Sequence, residues 1–380
     1  MSPPEAKALN VRLKQLREKG VRIIDPRQTY LGPEVDLARI HPTACLHPGT
    51  RILGKRTLLG ENTAIGTEGP TTLEDVLVGA TVAIASGCIR DSVILERVQV
   101  GANAHIRPGT LLEEEVSTGH SVGLKQTLLL SFVTLGSLIN FCDVLMAGGT
   151  SRQDHSEVGS GFVHFNFTPW GQRGDKATPS LIGDVVNGVL LRSKRIFLGG
   201  AGGAVGPFSV GYGSVAGAGQ VLRRDVASGE LVLEPPVPTR GLFRGHPSES
   251  HLSRIWTRNI EYIGQVYALR AWYEQVRLVR ALTKKDRVGD SEVLGEAIRL
   301  IDFCIRERLS HLQTFLSENG KTLLISPVAP VIQCLVDVVR LGPGADHVTW
   351  VCSLGELEYG QLKGWLRQIV DSAKSRLSLM

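Results

Sequence analysis

An aliphatic residue that returns every six positions constrains this chain more than any other feature. Leu59-Gly60 is followed six residues later by Ile65-Gly66, and Ile106, Leu112, Thr118 and Leu124 stand at successive steps of six. Leu198, Ala204, Val210, Ala216 and Leu222 repeat the step, with Gly199, Gly211 and Gly217 directly after three of them. Such an internal period signals a stack of equivalent units. Each six-residue unit makes one short strand and one turn. The aliphatic side chain points into a narrow axis, and the small residue after it permits a corner where a Cβ would clash. Three units close a triangular coil, so the chain returns above itself after about eighteen residues, at a strand separation of about 4.8 Å. The expected fold is mainly β, a parallel β-helix, and it accounts for 43 glycines in 380 residues.

The same period makes a geometric expectation of HIRPGTLLEEEVSTGHSVGLKQ (105–126). Ile106 and Leu124 are eighteen residues apart, hence one above the other in consecutive coils. Arg107 and Lys125 follow them and point outward at one corner. Two stacked cations repel unless an anion lies beside them. The anion is either a set of salt-bridge partners among Glu113, Glu114 and Glu115, or a bound phosphate or diphosphate.

The texture of the chain changes along its length. Residues 1–20 read as a helix, 21–232 as the β-helix, 233–250 as a proline-rich linker and 251–380 as an α-helical domain. In the last region Ile255, Ile260, Ile263, Val266, Leu269 and Trp272 recur at helical spacing, and its Trp and Tyr side chains read as core. A net charge of +5, spread along the chain, predicts no nucleic-acid partner. Six scattered cysteines contain no CxxC and no Cys/His cluster, which argues against a zinc site or disulfide framework and for a reducing cytoplasm. The basic N-terminal segment lacks the apolar core of a signal peptide. The most apolar later run, 323–339, holds two prolines and an aspartate and is too short to span a bilayer, so no membrane partner is expected.

At the level of motifs the chain resembles a known family. GVRIIDP (20–26), IRPGT (106–110), GHSVGLKQ (119–126), EVGSG…FNFTP (157–169), SLIGDV (180–185) and GYGSVAGAGQVLRRDV (211–226) carry the likeness. They are similar to the acetyltransferase half of the bifunctional bacterial enzymes that make UDP-N-acetylglucosamine, within the hexapeptide-repeat acyltransferases. The resemblance implies a left-handed β-helix, a homotrimer, acetyl-CoA as co-substrate, and a sugar phosphate or nucleotide sugar as ligand. Nothing here resembles that family's glycine-rich nucleotide-binding opening, so uridylyl transfer is not expected.

Carried over position by position, the resemblance implies that Arg107 and Lys125 hold the substrate phosphate region. Asn166 matches a sugar-binding asparagine, with Phe167 in place of the tyrosine after it, and Lys176 matches a lysine beyond that loop. Ser160 and Arg224 fall at coenzyme-A-binding positions, and Glu157 replaces an asparagine beside the substrate. The position of the family's histidine base holds Asp143, and that of its tyrosine holds Met146. Amide formation needs a base to remove the ammonium proton, and an aspartate with a reference pKa of about 3.9 does this poorly unless burial raises it. His155, in the same loop, is therefore a candidate base beside Asp143, with His120 and His164 in reserve.

Three further stretches bear on function. The loop 162–180, with its phenylalanines, Trp170, Asn166, Arg173 and Lys176, either covers a sugar or base or packs on an adjacent subunit. The run 143–159 gathers Asp143, Asp154, His155 and Glu157 as an acid/base set, without the bridging histidines of a γ-class carbonic anhydrase, so no metal is expected. LGGAGGAVG (198–206) is in phase with the six-residue rhythm, and its glycines would admit a pantetheine arm. Two functions follow: a coenzyme-A-dependent acyltransferase acting on a phosphorylated or nucleotide-linked amino sugar, or a non-catalytic sugar-nucleotide sensor or scaffold that keeps the anion clamp without a base.

Overall fold

The computed structural model describes residues 2–168, 175–233, 248–284, 289–326, 332–339 and 346–379. Helix α1 (Pro3–Lys19) opens the chain, closed at its start by a capping box between Ser2 and Glu5 and stopped by Gly20 at φ 114°. Its Leu13 and Leu16 are buried in the same cluster as the first solenoid residues.

From Arg22 to Val232 the chain winds as a parallel β-solenoid with faces of eleven, ten and eight strands. Along the second face the inward column is Leu31, Ile52, Leu73, Ile89, Ile106, Leu124, Phe141, His164, Ala204 and Leu222. The coil length is less regular than the hexad pattern. Ile106 and Leu124 are eighteen residues apart, Ile89 and Ile106 seventeen, and His164 and Ala204 forty. The long step carries α2 (Val185–Gly188) and the loop around 162–180, of which 169–174, including Trp170 and Arg173, lie outside the described residues. Parallel pairing resumes on both sides of it, so the insertion leaves the register of the solenoid intact.

The outward column of the third face decides how the rest of the chain packs. It reads Leu58, Leu77, Val93, Leu111, Leu128, Leu145 and Leu181. A face of leucines cannot stay in water, since each side chain contributes roughly 1.5–3 kcal/mol on burial. Helices α3 (Glu249–Ala271), α4 (Leu278–Lys284), α5 (Asp290–Glu318), α6 (His347–Cys352) and α7 (Glu356–Ser375) form the second layer. Tyr262, Val266, Leu269, Tyr273, Ala297, Ile301 and Cys304 join that leucine column in one buried cluster. Trp272 and Trp350 are fully buried there too, as core. A short antiparallel pair, Leu323–Ile325 with Leu377–Leu379, ties the end of the chain to the helices. No helix among the described residues is long and apolar enough to cross a membrane.

Candidate functional site

The corner between the second and third faces carries a column of charge. Glu74, Arg90, Arg107, Lys125 and Cys142 stand there on consecutive coils. The backbone fixes the stacking: the Arg107 N–H donates to the Leu124 carbonyl at 2.9 Å, and Lys125 pairs with Cys142 in the strand register. Coil separation places neighbouring Cα atoms about 4.8 Å apart. The expectation that Arg107 and Lys125 are vertical neighbours is therefore met.

Their partners differ from what the nearby acids suggested. Glu113 and Glu114 turn under the helices and pair with Arg277, and Glu115 pairs with Arg97 at 3.0 Å. The salt-bridge reading of the column is thus corrected: strand alternation sends those acids to another face. Arg90 binds Glu74 at 2.9 Å. Arg107 donates one bond, Nη2 to Cys142 Sγ at 3.2 Å, and its buried Nε has no partner. Among the described residues the Lys125 ammonium has neither an ion-pair nor a hydrogen-bond partner. Two cations held together without an acid form a site that an anion would complete. Burial pushes the Cys142 thiol up, with Arg107 opposing it, so the thiol stays protonated.

Just past this column, Gly54, Asp75, Asp91, Gln126 and Asp143 all adopt positive φ, the conformation of a repeated corner that Gly and Asp tolerate. Asp143 (φ 62°) is 3% exposed. Its Oδ2 accepts from Asn166 Nδ2 at 3.0 Å, and its Oδ1 lies 3.0 Å from Arg308 Nη2. Arg308 comes from α5. It also donates to the Gln126 side chain at 3.3 Å, to the Lys176 carbonyl at 3.4 Å, and to His311 Nδ1 at 2.5 Å. Gln126 in turn donates to Glu307 at 3.0 Å, and Cys304 Sγ donates to the Gly109 carbonyl at 3.4 Å. Helix α5 therefore lies along this corner from Gly109 to Asp143. The Lys176 side chain is exposed, and the Phe165 and Phe167 rings are 45% and 52% exposed beside Asn166.

The remaining sequence candidates lie elsewhere. His155 precedes the first face: its ring bonds the Arg152 carbonyl at 2.8 Å through Nδ1 and stands 3.5 Å from Glu157 through Nε2. Glu157 is on that first face, in register with Thr134 and Phe197. Ser160 occupies the next corner, where its hydroxyl accepts from the Ser137 N–H at 3.1 Å. Arg224 is exposed at the last coils, one residue past Arg223. Met146 points into the solenoid axis, fully buried. His164 also points inward; Nδ1 donates to the Cys142 carbonyl at 2.7 Å and Nε2 accepts from Ser180 Oγ at 2.8 Å. Burial brings its pKa down to about 4. His120 bonds Ser137 Oγ at 2.7 Å on the exposed surface. Within one chain, then, Arg107, Lys125, Asp143, Asn166 and the Lys176 backbone share a corner, while His155, Glu157 and Ser160 do not.

Residues Glu307, Arg308 and His311 escaped the sequence reading, although a signal existed. Ile301, Cys304, Arg308, Leu312 and Phe315 form one helical stripe, and an arginine amid four apolar residues marks a buried ion pair. Corner glycines near residue 200 serve the coils: a Cβ on Gly199 would meet Ala218 N at 2.4 Å, and one on Gly200 would meet Ser160 O at 2.6 Å. Coil stacking by itself accounts for their smallness. Among the described residues no group of three or more His, Cys, Asp or Glu could hold a metal ion.

No family model matches the chain. It is similar to bifunctional proteins GlmU: 33% identical over 220 residues to that of Desulfitobacterium hafniense, covering 57% of this chain and 42% of the relative. The protein of Thermotoga petrophila is 30% identical over 215 residues, and that of Halalkalibacterium halodurans 27% over 214. This chain spans about two fifths of the length of these relatives, 41% or 42% in each case. The similarity and the parallel solenoid together match the hexapeptide-repeat acetyltransferase half of such proteins.

Proposed function

We propose that this chain binds a phosphorylated amino sugar or nucleotide sugar at the Arg107–Lys125 corner, and that it does so without the acyl transfer of its relatives. The observation that carries the reading is the pair of stacked cations with no acid partner among the described residues. Phosphate oxygens would accept from the free guanidinium edge and the ammonium, and the Phe165 and Phe167 rings beside Asn166 offer apolar surface to a sugar or base.

Acyl transfer needs a base beside the amine, and this corner holds none ready. Asp143 is ion-paired with Arg308 through Oδ1, which accepts no hydrogen bond, its Oδ2 is bonded by Asn166, and His164 is sealed inside the solenoid. His155 stands at a different corner. The sugar-acetyltransferase relatives favour a second reading, in which a neighbouring copy brings His155 to Lys125. Six free cysteines suit a cytoplasmic protein under either reading.

Calorimetry with glucosamine-1-phosphate and with UDP-N-acetylglucosamine tests binding; the expected result is saturable heat that Arg107→Ala abolishes. Thiol release from acetyl-CoA and glucosamine-1-phosphate separates the readings. None is expected, and turnover that disappears in His155→Ala would establish the acyltransferase instead.

A further inference from the structure

We infer that helix α5 completes the anion site in cis, with His311 as a third hydrogen-bond donor to the phosphate and Arg308 as the residue that positions it. The inference rests on the proposed binding reading.

Three observations lead to it. First, the leucine face beside the site is covered by the chain's own α3 and α5, so that face is closed to a second copy. The wall opposite the cation column is therefore α5, set against Gly109, Gln126 and Asp143 by Cys304, Glu307 and Arg308. Second, Arg308 fixes the tautomer of His311. A guanidinium only donates, so the Nδ1 that receives its bond carries no proton, and the proton of the neutral ring must sit on Nε2. Glu307 is 3.7 Å from that Nε2, too far to take the hydrogen bond, and its own carboxylate is bonded by Gln126. The His311 ring is partly exposed, and Lys125 is among the charges acting on it. Burial and Arg308 keep it neutral, so it adds a donor without adding a third repelling cation. Third, Arg308 cancels Asp143, the carboxylate that follows Cys142 at the Lys125 end of the column. An uncancelled aspartate there would oppose an incoming phosphate.

This arrangement also excludes His311 as a general base in the resting state, because its only lone pair is held by Arg308. Its role is binding.

The test uses inorganic pyrophosphate and glucosamine-1-phosphate as probes of the full chain. His311→Ala is expected to weaken both by about tenfold, the worth of one good hydrogen bond to a charged group, and His311→Gln to recover part through its amide N–H. Mixing Arg107→Ala with His311→Ala chains decides between cis and trans. If α5 serves its own solenoid, the mixture binds no better than the two variants separately. Restored binding in the mixture would overturn the cis assignment, and unchanged affinity in His311→Ala would overturn the role of His311. Should Arg107→Ala fail while His311→Ala binds normally, the binding reading survives and this inference does not. A wild-type chain that binds neither probe defeats both.

Discussion

Two clusters of charge built on neighbouring coils have opposite fates. Glu113 and Glu114 face the helices, where Arg277 pairs with both and the Tyr273 hydroxyl donates to Glu113 at 2.8 Å. Every member is at most 6% exposed. Arg107, six residues before Glu113, and Lys125, eleven after Glu114, face a corner and have no acid partner among the described residues. Both arginines leave a buried Nε without a partner, so the contrast lies in the carboxylates alone. A dry interface must balance its charges or lose the fold, because an unpaired buried ion costs several kcal/mol. An open corner can leave cations unmatched, at the expense of mutual repulsion, if a ligand is to supply the counter-charge. The first cluster is structural, and the second is the one we propose as a site.

The comparison breaks most visibly at Arg277. Arg277→Met strands two carboxylates, one of them, Glu113, already pushed up by burial, and is expected to cost about 3–5 kcal/mol in urea denaturation. Replacing Glu113, Glu114 and Arg277 together with Gln, Gln and Met should recover much of that loss; a triple variant as unstable as the single one would refute the charge-balance account. Next in size is an acid effect at His164. Its folded pKa of about 4 lies below the ordinary 6.5, so the native ring stays neutral while the unfolded chain takes up a proton. Stability is then unaffected above about pH 6.5, falls as pH drops through the interval and levels off below about 4, by up to about 3 kcal/mol. Denaturation midpoints between pH 7 and 4 measure it, and a ring that titrates near 6.5 by NMR would contradict it.

At the open corner the signs reverse. Arg107→Ala should leave stability within about 0.5 kcal/mol of wild type, since it removes repulsion along with a single thiol contact. The same change should weaken phosphate-ligand binding by at least about tenfold. A loss of stability comparable with that of Arg277→Met would make Arg107 structural and erase the distinction.

Much of this is readable in the sequence. The six-residue step between Ile106 and Leu124 gives the parallel coil and places Arg107 under Lys125, because side chains that share an axis must repeat at the coil length. It could not give the partners. Glu113, Glu114 and Glu115 are near in sequence, but which face each takes depends on where the strand at Thr110–Leu112 ends and the corner begins. Asp143 was legible as a departure from the family's histidine, yet its engagement depends on Arg308, 165 residues later, and no local pattern registers a helix onto a solenoid. The outward apolar column Leu58, Leu77, Val93, Leu111, Leu128, Leu145 and Leu181 is the missed clue. Outward leucines on one face alone predict a cover, here supplied by the chain itself.

The smallest effect probes where the site ends. Arg90 stands directly beneath Arg107 in the same column, yet it has its own acid, Glu74, at 2.9 Å. Both side chains are about half exposed, at 54% and 42%, where an ion pair contributes 0–1 kcal/mol at most. Arg90→Ala should therefore change stability by no more than about 0.5 kcal/mol and leave binding of a monophosphate within about twofold, because its charge is already matched. A diphosphate ligand sharpens the point, since its second phosphate could reach one coil further and draw Arg90 away from Glu74. If Arg90→Ala weakens pyrophosphate but not glucosamine-1-phosphate, the column reads three coils; if neither changes, the site is the Arg107–Lys125 pair alone.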